Sequence, residues 1–216
     1  MPHGSVAAPV IDLPQPLHGL DHIEPADDHD GVVLASVDLG GQRGYDLRLT
    51  ASRLTDVAMH GVVLSGALLA GCELERVEAT NLDLVDARLR DVEVTGARIG
   101  DLQAHGAELT RVLIRNSRLG YVNLRSATLS DVRFAGCTIA DLDVADATLR
   151  RVAVDDCTIE RFTCQHADMD DVDLTGARMT EIIDVAHLRG AAVSSAQLTV
   201  LAPLLARHMG IVVRDT

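Results

Sequence analysis

Lysine and tryptophan are absent from the 216 residues, and only two tyrosines and two phenylalanines occur. Aromatics make up 2% of the chain while hydrophobic residues make up 47%, so any core must be built from small and branched aliphatic side chains. Every cationic Lys/Arg position is an arginine, and the formal net charge is −13. That balance excludes direct nucleic-acid binding through clustered Lys and Arg on phosphates. It equally excludes docking on an anionic membrane surface. No run approaches the roughly 18 apolar residues of a membrane-spanning helix. The first 30 residues hold no Lys or Arg, and Pro9, Pro14 and Pro16 interrupt their apolar stretches, so no export signal is expected. Cys72, Cys137, Cys157 and Cys164 form neither a Cys-x-x-Cys pair nor a dense disulfide framework. Together these absences predict a cytoplasmic protein.

Catalytic signatures are missing as well. There is no Walker loop, no G-x-S-x-G and no H-E-x-x-H. His3, His18, His22 and His29 lack the ordered spacing of metal ligands. Acidic pairs such as Asp155–Asp156 and Asp170–Asp171 read as solvated polar residues. The expectation is a protein that is not an enzyme and that carries no cofactor or metal.

What the chain does have is a beat of five. In "ADATLRRVAVDDCTIERF", residues 145–162, Ala147 and Leu149 are followed by Val152 and Val154, then by Cys157 and Ile159. On an α-helix, residues five apart surround the axis, and on a flat strand an odd spacing alternates faces. Only a chain that turns a corner every five residues lets both apolar positions of each unit, i and i−2, face one axis. The beat runs without a phase shift from Leu47 to Ile182, and Val32, Leu34, Val37 and Leu39 share its phase. Gln42 and Gly44 interrupt it. Repeats of this kind decide architecture.

The i−2 columns set the number of units per turn. At a spacing of twenty, Ala67, Ala87, Ala107, Ala127, Ala147 and Ala167 are identical, as are Val92, Val112, Val132, Val152 and Val172. A third column is small (Ala97, Ser117, Cys137, Cys157, Ala177) and a fourth is large (Leu82, Leu102, Val122, Leu142, Phe162, Ile182). A period of ten would mix these classes, so the coil has four sides.

Units such as "ADATLRR", "TGARIGD" and "SATLSD" resemble the pentapeptide-repeat family over about residues 32–184. The resemblance implies an all-β solenoid, a right-handed quadrilateral parallel β-helix, with i and i−2 inward and i+2 near the corners. At i+2 this chain is rich in turn-forming residues: Asp86, Asp91, Gly96, Asp101, Gly106, Asn116, Asp131 and Gly136. Three segments are expected: an irregular acidic leader over 1–31, the β-helix over 32–184, and a short α-helical cap over 185–216. In the cap, Ser194 and Gln197 have capping-box spacing, Gly210 suits a C′ stop, Leu198, Leu201 and Leu205 share a helical face, and Pro203 should kink or split the helix.

Charge patterning supplies the candidate surfaces. Asp91, Arg111, Asp131, Arg151 and Asp171 alternate in sign at one-coil spacing and suggest an ion-pair ladder. Residues 101–140 carry a net +2, whereas 141–184 carry twelve acids against four arginines, or −8. The candidate acidic partner-binding surface is Asp141, Asp143, Asp146, Asp155, Asp156, Glu160, Asp168, Asp170, Asp171 and Asp173. Candidate cap or dimer contacts are Leu198, Leu201, Leu204, Leu205, Met209 and Ile211. The reading of the residues is a rigid scaffold that binds a protein partner. The resemblance adds an alternative: some family members are elongated acidic dimers, joined through a C-terminal element, that imitate duplex DNA. They occupy the DNA-binding saddle of gyrase, a type II topoisomerase, and protect it from quinolones or natural toxins.

Overall fold

Corners recur every five residues along a chain whose apolar side chains all point to one axis, and the result is a parallel coil. The computed structural model describes residues 5–214. Leu89 lies opposite Leu109, Leu109 opposite Leu129, and Leu129 opposite Leu149. On another wall Ile99, Leu119, Ile139 and Ile159 align in the same way. Each of these steps is twenty residues, and every pairing is parallel. The pairings form a twelve-stranded and a seven-stranded sheet that share one apolar interior.

One turn shows how the sequence makes the corners. Strand Arg88–Thr95 bends at Asp91 (φ 55°), a left-handed Gly96 (φ 67°) leads into strand Arg98–Gln103, and a turn at His105–Gly106 (φ 70°) closes the coil. Asp, Asn and Gly accept this left-handed conformation more readily than other residues. Asp101 is a different case. From Asn81 on, its column, which includes Tyr121, Asp141, Arg161 and Glu181, stays out of the left-handed region that Gly41 and Gly61 occupy in the earlier coils, so bulky residues are accommodated there.

The interior columns are close-packed. Ala67, Ala87, Ala107, Ala127 and Ala147 are at most 1% exposed. Phe134 stacks between Ile114 and Val154, and Phe162 between Leu142 and Ile182. The axis retains a void of about 70 Å³ lined by aliphatic side chains and Phe134. The small column does more than fill space. Ser117 Oγ accepts from the Ala97 N–H (3.0 Å) and donates to the Arg115 carbonyl (2.9 Å). Ser52 bridges Val32 N and Thr50 O in the same way, and Cys157 Sγ bridges Cys137 N and Asp155 O. A hydroxyl or thiol at this corner thus satisfies backbone groups that the strand ladder leaves over. All four cysteines are free and buried, and burial pushes the Cys72 thiol up to about 11 and Cys164 to about 12.

The N-terminal end carries more structure than expected, and the C-terminal end carries the expected helix. Of the leader's described residues, 5–17 are irregular, but His18–Gly19 pairs with Val32–Val33 and Asp28–Asp30 with Arg48–Thr50. His3 lies outside the described residues. The interruption at Gln42 and Gly44 is the seat that allows this. Ile23 inserts into the space that Gly44 leaves, where a Cβ would lie 3.3 Å from Ile23 Cδ1, and the Ile23 N–H donates to Gln42 Oε1 (2.9 Å). Ile23 is 6% exposed and belongs to the core.

At the other end a helix, Ser195–His208, follows a short strand Ala191–Ala192 that pairs with Val172–Asp173. The capping box forms as spaced: Gln197 N donates to Ser194 Oγ and Ser194 N to Gln197 Oε1. Gln197 Nε2 also donates to the Leu174 and Ala177 carbonyls (2.7 and 2.6 Å), so one side chain both starts the helix and closes the last coil. Gly210 adopts φ 71° just past the helix end. Pro203 does not split the helix, which continues through it. Its missing N–H leaves the Thr199 carbonyl without its usual partner, while packing of Leu201, Leu204 and Leu205 on the core holds the helix in place.

Two substitutions test these columns. Ala127→Leu should overpack the interior and cost about 1–3 kcal/mol in denaturant unfolding. Ser117→Ala strands the buried Ala97 N–H and should cost about 1–3 kcal/mol, with Ser117→Cys recovering part of the loss because Cys157 fills the same role.

Candidate functional site

Polar chemistry is confined to the outside of the coil, so the candidate sites are surfaces. The ladder column resolves into two forks. Arg111 grips Asp91 through Nε and Nη2 (both 2.6 Å), and Arg151 grips Asp131 through the same atoms (2.8 and 2.7 Å). Each arginine reaches back one coil toward the N-terminus. Bidentate pairs of this kind are directional as well as strong. Asp91 and Asp131 are 7% and 9% exposed. The Arg111 guanidinium holds the Asp91 carboxyl below its usual range, and Arg151 does the same for Asp131, with burial opposing both. Arg111 and Arg151 themselves sit at φ 51° and 52°, a strained conformation for a long side chain that the fork offsets.

The ten candidate acids are spread round the coil rather than gathered on one wall. Asp155, Asp168, Asp170, Asp171 and Asp173 lie in the twelve-stranded sheet, Asp141, Asp143 and Glu160 in the seven-stranded sheet, and Asp146 and Asp156 at a turn and a bend. Arginines of the basic segment reach into them across one coil. Arg125 meets Asp143 (3.1 Å) and Asp146 (3.6 Å), and Arg133 meets Asp155 (3.4 Å). Arg150 meets Asp168 and Asp170, and Arg161 bridges Asp141 and Glu181. The imbalance along the sequence is therefore much reduced in space. Asp143 is not a surface group: it is 8% exposed, with Oδ1 accepting from Ala145 N and Oδ2 from Arg125. Its i−1 position, two residues before a turn, turns the carboxylate back onto the backbone. Asp156, Glu160, Asp168 and Asp170 are exposed, and among the described residues no ion pair holds Asp156 or Glu160.

The apolar candidates also divide. Leu201 is 4% exposed and packs with Leu204 and Leu205 on the core. Leu198, Met209 and Ile211 are exposed, as are Val200, Val212 and Val213. Leu198 departs from the shared face expected for it, because the coil end meets the helix along Leu201, Leu204 and Leu205. Beneath the helix, a groove of about 520 Å³ runs beside strand Ala177–Ile183, with Met179, Ile182, Val200 and Leu204 on its walls and Arg178 at its rim. Among the described residues, no cluster of three or more His, Cys, Asp or Glu could hold a metal ion, and no helix is long and apolar enough to cross a membrane.

Residues 48–96 match the family model described as pentapeptide repeats, in eight copies. The coil is a pentapeptide-repeat β-helix. The repeat register runs on in the structure well beyond the matched segment, to Ile182. No curated protein matches the chain. Among solved structures, a trypsin-treated form of QnrB1, a plasmid-mediated fluoroquinolone resistance protein, is 16% identical with a TM-score of 0.45, covering 92% of this chain and 100% of its own. Full-length QnrB1 is 19% identical with a TM-score of 0.31, covering 85% of this chain and 100% of its own. HetL, a pentapeptide-repeat protein involved in heterocyst differentiation regulation in the cyanobacterium Nostoc sp. strain PCC 7120, is 19% identical with a TM-score of 0.28; the match covers 79% of this chain and 91% of HetL.

One element of the pentapeptide-repeat coil's surface was not legible from its repeats. The irregular part of the leader lies lengthwise on the ladder column. Val10 N donates to Asp91 Oδ1 (3.0 Å) and Ala7 N to Asp131 Oδ1 (3.1 Å). Pro14 covers Gly31, where a Cβ would lie 2.8 Å from Pro14 Cγ. The ladder acids thus bind both an arginine and the leader. Gly31, Ala51 and Gly71 all have left-handed φ (64°, 44° and 64°), so the corner itself accounts for Gly at 31 and 71 and the repeats carry no separate signal for the leader's path.

The forks predict an asymmetric response to mutation. Arg111→Gln should cost about 1–3 kcal/mol by leaving the Asp91 carboxylate without its strongest partner. Arg111→Asp should cost more, because it sets three carboxylates in line; thermal unfolding of the two variants side by side checks the order.

Proposed function

We propose that this protein is a non-enzymatic pentapeptide-repeat scaffold that binds a protein partner. One observation carries the reading: the coil's interior is closed by stacked aliphatic side chains, and the groups able to make specific contacts are arrayed on a rigid exterior. Repeat coils contact only their neighbours and offer extended surfaces, a geometry suited to recognition rather than to chemistry in a pocket. The exposed acids Asp156, Glu160, Asp168 and Asp170 give such a surface its charge. The apolar residues Leu198, Val200, Met209 and Ile211 are exposed at the C-terminal end, and exposed apolar surface of this kind marks association. That surface favours a homodimer joined through the cap.

A second reading is an acidic dimer that imitates DNA and binds gyrase or another type II topoisomerase, conferring resistance to quinolones or a natural toxin. The acidic C-terminal coils favour it. The arginine pairs that neutralise much of that charge, and its spread round the coil, favour the broader scaffold.

Reversing Asp156, Glu160 and Asp170 to Arg in one variant tests the surface. The expected result is a partner retained by the wild-type chain and weakened by on the order of tenfold or more in the variant, at unchanged unfolding temperature. Equal retention of the partner by the two proteins would remove the acidic surface from the proposal. A gyrase supercoiling assay, with and without a quinolone, separates the two readings: inhibition or protection selects the mimic, and neither leaves the scaffold.

A further inference from the structure

The leader fits its edge by arithmetic that neither element needs for its own folding. From Val10 to Ala7 the chain advances three residues, about 10 Å when extended, while Asp91 and Asp131 are two coils apart, also about 10 Å. From Pro14 to Val10 it advances about 13 Å, while Gly31 and Asp91 are three coils, about 14 Å, apart. Gly31 leaves the space that Pro14 fills, and the Arg111 and Arg151 forks hold two carboxylates so that each directs one oxygen at a backbone N–H. Val6, Pro9, Ile11 and Leu13 are half-buried, while Val10 and Asp12 between them face solvent. Alternate side chains and N–H groups at coil-matched spacing are the features of a groove that reads an extended peptide.

We propose that the edge from Gly31 to Asp131 is a docking groove for an extended peptide segment of a partner protein, and that residues 5–14 are a detachable cover occupying it in cis. The partner segment has the chemistry that the leader presents: aliphatic or proline residues at alternate positions, no charge on the inward side, and free N–H groups three residues apart.

Detachment is compatible with the fold. Among the described residues, 5–17 enter no sheet. The coil retains its own closure when they leave, because Asp91 and Asp131 keep their arginine forks. Release stops at His18, whose N–H is held by the Gly31 carbonyl, and beyond it Ile23 is anchored in the core. Pro9 and Pro14 bias the free leader toward the extended form it adopts when bound, which lowers the entropy cost of reclosing. A competitor of the same class then displaces it by mass action. This groove is separate from the acidic coils and the exposed apolar C-terminal residues, so its failure leaves the scaffold reading standing.

The test uses the full-length chain and a labelled peptide, SVAAPVIDLPQPL, copied from residues 5–17. Hydrogen exchange reports the Ala7 and Val10 amides, and fluorescence anisotropy reports peptide binding. In the wild-type protein both amides should be protected and the peptide should bind weakly. Ile11→Asp alters only the cover; it should abolish the protection and tighten peptide binding by about tenfold or more, because apparent affinity scales with the fraction of open groove. A peptide N-methylated at the residues matching Ala7 and Val10 should not bind, a control that leaves the protein unchanged. Four results would each overturn the proposal: unprotected leader amides in the wild type, amides still protected in Ile11→Asp, a released leader with no peptide binding, or equal binding of the N-methylated peptide. A doubling of mass in Ile11→Asp, with the peptide excluded, would also overturn it and replace the partner with the leader of a second copy.

Discussion

Equal coil length is the constraint on which the rest of this structure depends. Through the repeat run each strand pairs with the one twenty residues on, so a single inserted residue would rotate every later column out of line and move apolar side chains to the outside. With length constant, each interior position meets its counterpart above and below. Ala stacks on Ala at 87, 107, 127 and 147, and large side chains stack where the section is wider. The corners follow from the same constraint. Three of the four need left-handed backbone, and Asp, Asn and Gly collect there, while the fourth admits Tyr121, Arg161 and Glu181. The Ser and Cys bridges at 52, 117 and 157 settle backbone groups that a bent strand cannot pair along its own ladder.

Stacking at a fixed interval also organises the outside. Side chains one coil apart are close enough for an arginine to reach an acid in the adjacent coil, as Arg111, Arg125, Arg133 and Arg151 do. Charge that looks segregated along the chain is consequently mixed across coils. The candidate acids left exposed, Asp146, Asp156, Glu160, Asp168 and Asp170, are fewer and more dispersed than their positions in the sequence suggest. Pairs exposed on both sides, such as Arg133–Asp155, contribute little stability individually, and their main effect is to decide what surface remains for a partner.

The ends obey different rules, and there the sequence was least transparent. Gln42 and Gly44 read as a defect in the repeat, yet they form the seat for Ile23. The leader looked irregular because its contacts are to a column of corner residues far along the chain, which no local pattern encodes. Leu198 shares a helical face with Leu201 and Leu205 but remains exposed, since only the position of the last coil decides which part of the helix is covered. Asp143 reads as a surface acid and is buried, because the turn after it folds its carboxylate onto Ala145 N. Gln197 was recognisable as a capping residue; its closure of the Leu174 and Ala177 carbonyls was not.

The sequence by itself determined the coil: the five-residue beat, the four walls, the twenty-residue register, and the helix start at Ser194 and stop at Gly210. Those features rest on contacts between residues at a constant separation, so periodicity records them. The tertiary structure alone decided which way the ladder arginines point, which acids are neutralised, where the helix lies on the last coil and where the leader runs. Those outcomes depend on packing between segments with no shared period, and the energy differences among the alternatives arise only once the coils are stacked.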